Sequence, residues 1–545
     1  MKLVSVSEMR AIEQEANASG LTYETMMENA GRNLAQKVME LSFFLQEEAN
    51  PQVVGLVGPG NNGGDTLVAL SHLAEHGWTA QAYLVKRTPD DALVARLAAA
   101  GGEVFASEQD KDFQQLRTLI EEADVLLDGV LGTGVQLPIK AETASVLKAA
   151  SEIVKDLAWT PFVVAVDCPS GVDCDTGAAA PETIPANATV TMAAVKRGLL
   201  SLPAYERIGE LHVVEIGDLS GLPTWQSLQN EVADAREIAS LLPKRKLDAH
   251  KGTFGTALIV AGSMNYTGAA LLAGKAAYRI GAGLVTLAVP SPLHTALAGH
   301  LPEATWLLLP HEMGVIAESA AEVLAKHLER VTALLIGPGL GLEDATADFL
   351  ERFLAQRPVS RAASRRIGFL PKEDEVPQEK ERQPLPPLIF DADGLKLLAK
   401  LENWPARISS PAILTPHPGE MSVLTGLTVE EIQRDRLETA RRFAQTWGHV
   451  VVLKGAFTVI ASPDGRTTTI PVATPALARA GSGDVLAGII TGLRAQGLEA
   501  YPAAVAGAWI HAQAGLAAAR VQRNAASVLA GDLLESMPEV LSEMM

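Results

Sequence analysis

The sequence predicts two α/β domains, each built around a parallel sheet. Three observations carry that reading. Short β-branched runs end in glycine-rich turns and pass into helical periodicity again and again, which is the pattern of βα units. The chain has 545 residues, more than one hydrophobic core usually organises. Residues 217–230 (GDLSGLPTWQSLQN) carry Gly, Pro and polar residues without periodicity, as a linker does, and put the boundary near 225.

Along the first half, helix-like residues 7–48 lead into candidate strands 52–57, 124–128, 162–167 and 211–216, with helical stretches such as 65–76 between them. The second half offers strands at 256–261, 284–289, 332–336, 387–391, 411–415, 450–454 and 457–461, then a long helical tail from 484 onward. Residues 357–387 mix charge and proline with few apolar side chains, so they cannot bury enough to order themselves and are expected to form a mobile surface insertion.

Composition excludes several roles. The chain is 48% hydrophobic and 20% charged, ordinary for globular protein. Its net charge of −19 repels phosphate backbones and anionic lipid, so neither nucleic acid nor a membrane surface is expected as a partner. Glu8, Arg10, Glu13 and Glu15 break up any apolar leader, and no stretch of about 18 apolar residues follows, so a cytoplasmic location is expected. Cys168 and Cys174 are too few for a disulfide framework and are expected to be reduced thiols.

Three strand ends in the first half converge on one chemistry. After VVGLV, the turn GPGNNGGD (58–65) opens a helix whose first N–H groups can face an anion, with Asp65 near the helix start. DVLLDGVLGTG (124–134) sets Asp128 before a second glycine loop, and FVVAVDCPSG (162–171) sets Asp167 before a third. Turn chemistry alone explains any one of these, but not an apolar strand ending in a carboxylate each time. In an open parallel sheet such loops line the ligand crevice. With ENAGR (28–32) and VKRGL (195–199), they resemble the epimerase family acting on hydrated NAD(P)H, over roughly residues 1–220.

That resemblance implies a Rossmann-like three-layer domain. It places substrate on Asn61, Asn62, Gly63, Gly64 and Asp65, on the loop Gly132, Thr133, Gly134, Val135, Gln136, Leu137 and Pro138, and on Asp167, which it makes the acid/base. It also implies a potassium ion on Asn62, Asp128 and Ser170, hard oxygen donors suited to a hard cation. Thr66 stands where the family commonly has glycine, which bears on the loop's geometry. Lys196 either reaches a phosphate or is a solvated surface lysine.

The second half carries HKGTFG (250–255), GSMNYTGAALLAG (262–274), GPGLG (337–341), DADG (391–394), TPHPGE (415–420), LKGAFT (453–458) and AGSGDVLAGII (480–490). Gly481, Ser482 and Gly483 form a donor-rich turn at a helix start, with Asp484 at its mouth, placed to take a proton from a hydroxyl while amides hold phosphate charge. A helix N-cap is the plain alternative for Asp484. G-x-G-D near the chain's end resembles the ribokinase-like superfamily. The whole set in this order resembles the ADP/ATP-dependent NAD(P)H-hydrate dehydratases, over roughly residues 230–540.

This implies a larger ribokinase-like α/β domain. Ala269, Gly339 and His417 would contact the hydrate, Lys454, Gly455, Ala456, Phe457, Thr458 and Gly483 would hold ADP or ATP with Mg²⁺, and Asp484 would be catalytic. Gly394 and Lys396 stand where that family commonly has alanine and asparagine. The two resemblances imply an isomerase and a lyase joined for cofactor repair, the R and S hydrates being interconverted and the S form dehydrated. Hydrated NADH and NADPH and a nucleotide are the expected partners, with further copies of the chain in a homo-oligomer. A small-molecule kinase fused to a ligand sensor is the rival reading.

Overall fold

The computed structural model describes residues 1–43, 50–355, 385–408 and 411–544. The chain divides after Val232 into two compact units, Met1–Val232 and Ala233–Met545. Of the expected insertion 357–387, all but the last three residues lie outside the described residues.

In the first unit, strands β1 (Gln52–Val57), β2 (Thr79–Leu84), β3 (Glu103–Ala106), β4 (Val125–Gly129), β5 (Phe162–Val166), β6 (Ala188–Met192) and β7 (Glu210–Val214) form one sheet in the order β3-β2-β1-β4-β5-β6-β7. Every neighbouring pair is parallel. The chain runs one way from β1 to β3 and the other way from β4, so a crevice opens at the carboxyl ends of β1 and β4. Along β1, Val53 and Val57 enter the core on one face, and Val54 and Leu56 the core on the other. Helices α1 (Val6–Ala18), α2 (Tyr23–Leu41), α3 (Asn61–Glu75) and α4 (Ala92–Ala99) cover the first face, and α5 (Gln114–Glu122) and α6 (Ala141–Asp156) the second.

Of the helix-like stretch 7–48, the described part forms two helices, and residues 44–48 lie outside the described residues. Gly20, at φ +106, breaks it, and Thr22 caps α2 by accepting from Thr25 N. Residues 217–230 are not a free linker. Leu219, Leu222 and Leu228 are buried in the first unit's core, with Trp225 against it, because burying three leucines outweighs the flexibility their Gly and Pro neighbours suggest.

In the second unit, β8 (Thr256–Val260), β9 (Leu284–Pro290), β10 (Thr305–Leu309), β11 (Ala333–Ile336), β12 (Leu388–Phe390), β13 (Ile413–Leu414), β14 (Val450–Leu453), β15 (Val459–Ala461) and β16 (Thr467–Thr469) run in the order β16-β15-β14-β13-β12-β11-β8-β9-β10. Pairing is parallel from β10 through β14, and antiparallel at β14-β15 and β15-β16. Helices α7 (Gly268–Arg279), α8 (Pro418–Thr425), α9 (Ser482–Ala495), α10 (Ala500–Gln522) and α11 (Ala530–Ser542) include the expected helical tail as its last three members. Helix α9 lies almost against α7: a Cβ on Gly488 would stand 2.3 Å from the Ala273 carbonyl oxygen. No helix among the described residues is long and apolar enough to cross a membrane.

Candidate active sites

The first site begins where β1 ends. Helix α3 starts at Asn61, and its N-cap, Gly60, offers no side-chain cap, so first-turn N–H groups stay open to a ligand. A cavity of about 820 Å³ is walled by Asn61, Asn62 and Asp65, by Val130–Val135 after β4, by Asp167 after β5, and by Arg10, Glu13 and Gln14 of α1. Gly63 and Gly64 are buried behind it, and Gln136, Leu137 and Pro138 carry the loop beyond its wall. Gly31 of ENAGR is a packing residue: a Cβ there would stand 2.4 Å from Val68 Cβ and 2.8 Å from the Asp65 carbonyl oxygen, so its absence lets α2 press on α3. Thr66 is fully buried and donates to the Asn62 carbonyl at 2.8 Å, so the helix absorbs the hydroxyl in its own backbone.

Asp167 is held in a left-handed conformation (φ 62°), strained for a residue with a Cβ. Its N–H donates to Val190 O at 2.8 Å, and its Oδ1 accepts from Thr191 Oγ1 and Met192 N, each at 3.0 Å. Lys196 closes the set with an ion pair to the same oxygen. It also donates to Thr191 Oγ1 and Met192 O at 2.9 Å. Only 1% exposed, Lys196 is neither a surface lysine nor a free phosphate ligand, because its three donors are taken up inside the protein. Burial, reinforced by Asp167 and Glu13, pushes Asp65 well above the usual aspartate range. Burial also raises Glu13, where Lys196 opposes and Asp167 adds to the effect.

Beneath the loops, Asp128 is wholly buried and accepts from Ser170 N at 2.8 Å through Oδ2. Leu131 N donates to Ser170 Oγ at 2.8 Å, and Asn62 Nδ2 donates to Leu131 O at 3.0 Å. Asp128 Oδ1 and Asn62 Oδ1 are buried with no hydrogen-bond donor. Cys168 and Cys174 are free, buried thiols, as expected.

In the second unit, α9 starts at Ser482 on Gly481, which is left-handed (φ 88°) and gives no side-chain cap. His511 of α10 is fully buried, its pKa pulled down to about 4 by that burial, and its neutral ring donates through Nε2 to Ser482 O at 2.9 Å. The adjoining cavity, about 380 Å³, is walled by His417, Lys454, Gly455, Ala456, Thr458, Gly483, Arg479 and His511 among others. Phe457, the remaining predicted member of that loop, is 9% exposed and lies outside the wall. Ala269 and Gly339 meet elsewhere: a Cβ on Gly339 would stand 2.9 Å from Ala269 Cβ.

Lys454 Nζ lies 2.7 Å from Asp391 Oδ1 and 3.6 Å from Glu420 Oε2. Burial works against its charge, but Asp391 and Glu420 outweigh that and hold its pKa above the usual lysine range. Thr415 Oγ1 donates to Asp391 Oδ1 at 2.7 Å, while Asp391 Oδ2 is buried without a partner. Burial would raise Glu420, yet His417 and Lys454 bring it down to about 2. Asp484 moves the other way: burial, then the charge of Asp391, pushes it up to about 7. A base poised there suits proton removal at neutral pH. Gly394 sits so close that a Cβ would be 2.5 Å from Ile336 O, and Lys396 pairs with Asp393 at 3.2 Å.

Residues 23–198 match the family described as YjeF-related protein N-terminus, and residues 257–359 and 370–539 match NAD(P)H-hydrate dehydratase. The bifunctional NAD(P)H-hydrate repair enzyme of Moorella thermoacetica is 36% identical over 99% of this chain and 97% of its own. The chain belongs to the bifunctional NAD(P)H-hydrate repair enzymes. The Escherichia coli enzyme of that name is 32% identical, over 98% of this chain and 92% of its own. Among solved structures, an ADP/ATP-dependent NAD(P)H-hydrate dehydratase from Bacillus subtilis, co-crystallised with ATP and Mg²⁺, is 32% identical over 58% of this chain and 99% of that one, with a TM-score of 0.46. In this repair enzyme, the dehydratase match falls in the second unit and the other match in the first.

Four groups that the structure places at the candidate sites are not marked out by the sequence. Asp391 and Glu420 stand in motifs that the sequence does display, DADG and TPHPGE, and only the fold brings them to Lys454. Glu13 and His511 sit on ordinary helices, and nothing in the local sequence separates them from solvent-facing or core residues.

Proposed function

We propose that the first unit interconverts the R and S forms of hydrated NAD(P)H and that the second dehydrates the S form at the expense of ADP or ATP. The observation that carries the second step is the uncapped, glycine-flanked start of α9, which sets Asp484 near the Lys454–Asp391 pair, with burial pushing its carboxyl up to about 7. The C6 hydroxyl of the hydrate is a poor leaving group, and transfer of a phosphoryl group to it makes it a good one. Asp484 takes the hydroxyl proton, the α9 N–H groups and Lys454 hold phosphate charge, and His511 keeps the turn in place through Ser482. His417 and the junction of Ala269 with Gly339 bind the hydrate, and Lys454–Thr458 with Gly483 hold the nucleotide.

Mg²⁺ bound with the nucleotide supplies charge neutralisation on its phosphates. The partnerless Asp391 Oδ2, 4.0 Å from where a Gly483 Cβ would stand, fits a cation arriving there. In the first unit the partnerless oxygens of Asn62 and Asp128, tied together through Ser170 N on Asp128 and Leu131 bonded to both Ser170 Oγ and Asn62, fit potassium. Asp167 is the acid/base of the epimerisation, and the Asn61–Asp65 and Gly132–Val135 loops hold the hydrate.

The test is to incubate the separated R and S hydrates with each nucleotide and follow reduced nicotinamide absorbance. Recovery from S with nucleotide alone, and from R only as fast as epimers exchange, is the expected result. A stable phosphorylated product without recovered NAD(P)H would instead make the second unit a kinase.

A further inference from the structure

The first site contains more acid than its assigned chemistry uses. Arg10, Glu13 and Gln14 occupy one face of α1 and line the cavity opposite Asn61–Asp65 and Asp167. Ile12, beside Glu13, is buried in the core and fixes that face of the helix toward the cavity. Three carboxylates, Glu13, Asp65 and Asp167, therefore share this space with one buried cation, Lys196, and one exposed cation, Arg10. Glu24 and Tyr23 are the other ionisable groups on the wall, and both are exposed. Lys196 spends its charge on Asp167. The remaining wall is largely apolar, with Met26, Met27, Ala30, Val130, Met192 and Ile216, so two further bare carboxylates facing it are costly.

We propose that Glu13 is a second proton-transfer group of the epimerisation site, giving its carboxyl proton to the departing C6 hydroxyl of the hydrate. This rests on the epimerase reading of the first unit. Glu13 is preferred over Asp65 because Asp65 belongs to the Asn61–Asp65 turn that holds the hydrate, whereas Glu13 faces that turn across the cavity from α1. Glu13 is partly exposed and has Arg10 beside it to stabilise the carboxylate left after donation.

The step balances without any redox partner. In the hydrate, C6 carries the hydroxyl and is bonded to N1. The N1 lone pair forms N1=C6 as the C6–O bond breaks, and the oxygen leaves as water with the Glu13 proton. Water then adds to the opposite face of C6, the electron pair returns to N1, and Asp167 accepts the proton that this water releases. In the reverse direction the two carboxyl groups exchange roles, and solvent restores their protons between turnovers.

The experiment uses the full chain with Glu13→Gln and Glu13→Asp. Epimer exchange is followed chromatographically without nucleotide from pH 5 to 9, with hydrate binding by calorimetry and folding by thermal melting. For Glu13→Gln, exchange should fall roughly 10²-fold or more while hydrate binding and dehydration of the S form stay within a few-fold. The wild type should lose activity at alkaline pH as Glu13 gives up its proton, and this limb should vanish in Glu13→Gln. Glu13→Asp should recover part of the rate together with the limb. Exchange within a few-fold of wild type and an unchanged limb in Glu13→Gln would overturn the proposal, as would a Glu13→Asp variant no faster than Glu13→Gln. A wild-type chain that exchanges no epimers would instead overturn the epimerase reading itself.

Discussion

Asp484→Asn should cost the second site its activity and at the same time make the protein more stable. The side chain keeps its size but loses its charge. As the proposed base, its removal should lower nucleotide-dependent recovery of NAD(P)H by roughly 10²-fold or more, leaving epimer exchange intact. The stability effect follows from the pKa. Burial and Asp391 raise Asp484 from the ordinary 3.8 to about 7, so between those values the folded protein binds a proton that the unfolded chain does not. Stability then falls as pH rises through that window, and above pH 7 the folded state carries the full cost of the ionised group. At about 1.36 kcal/mol per pH unit the displacement corresponds to at most about 4 kcal/mol, and water reaching the partly exposed carboxylate brings the expected gain to about 1–3 kcal/mol. The assay is chemical denaturation of both proteins at pH 8, 6 and 4.5, beside kcat/KM for the S hydrate across the same range. Wild-type kcat/KM should fall about tenfold per pH unit below 7, and the variant's stability advantage should shrink toward zero at pH 4.5. A variant that is less stable at pH 8, or a wild-type rate flat from pH 8 to 5, would refute the assignment of a raised, ionising base at this position.

Three further outcomes are expected. Asp167→Asn should consume the S hydrate normally and then stall with the R form left over, which chromatography of the residual substrate shows directly; continued rapid exchange would remove Asp167 from the chemistry. Asp128→Ala should weaken hydrate binding in the first unit and abolish any dependence of epimer exchange on monovalent cations, because one of the two partnerless oxygens is gone; unchanged kinetics and no cation dependence in either protein would remove the ion. Gly455→Ala should raise the KM for nucleotide about 5- to 30-fold. Its φ of +146° strains any Cβ and the new atom would lie 3.0 Å from the Arg436 guanidinium, a distortion of about 1–2 kcal/mol, so an unaltered nucleotide KM would show that this loop does not touch the nucleotide.

What the sequence displayed and what it hid separate along physical lines. Strand ends that pass straight into glycine turns were legible, because β1, β4 and β5 are apolar on both faces and stop abruptly at Gly58, Gly129 and Asp167. Strands β2 (TAQAYL), β3 (EVFA) and β6 (ATVTM) were not. Alanine, glutamine and glutamate weaken the strand signal in β2 and β3, β6 is a short run of five, and none of the three passes into a glycine-rich turn, so pairing against formed neighbours decides their state. Strands β10 (TWLLL) and β16 (TTT) have strand-forming residues but are short and likewise lack a glycine turn behind them. The loop residues of both sites were legible because backbone approach to a ligand demands glycine. The charges that tune them were not, since a buried Lys196 or an inward Glu13 reads locally like any other helix or turn residue.

Both sites solve one electrostatic problem in the same way, although they lie on different sheets. Each gathers several carboxylates at the carboxyl ends of parallel strands and sets one lysine against one of them: the buried Lys196 with Asp167, the largely buried Lys454 with Asp391. With one cation for several anions, the paired carboxylate is held in place and its unpaired neighbours are driven toward the proton-bound form, as burial and like charge do to Asp65 and Glu13 in one unit and to Asp484 in the other. Moving the lysine's charge should therefore move the neighbours. A Lys454→Met change takes away the cation that lowers Asp484, leaves Asp391 without its ion-pair partner, and should shift the acid limb of dehydration to higher pH rather than merely scaling the rate. An acid limb that stays near pH 7 in that variant would mean that burial alone sets Asp484, and that the lysine serves only to hold phosphate.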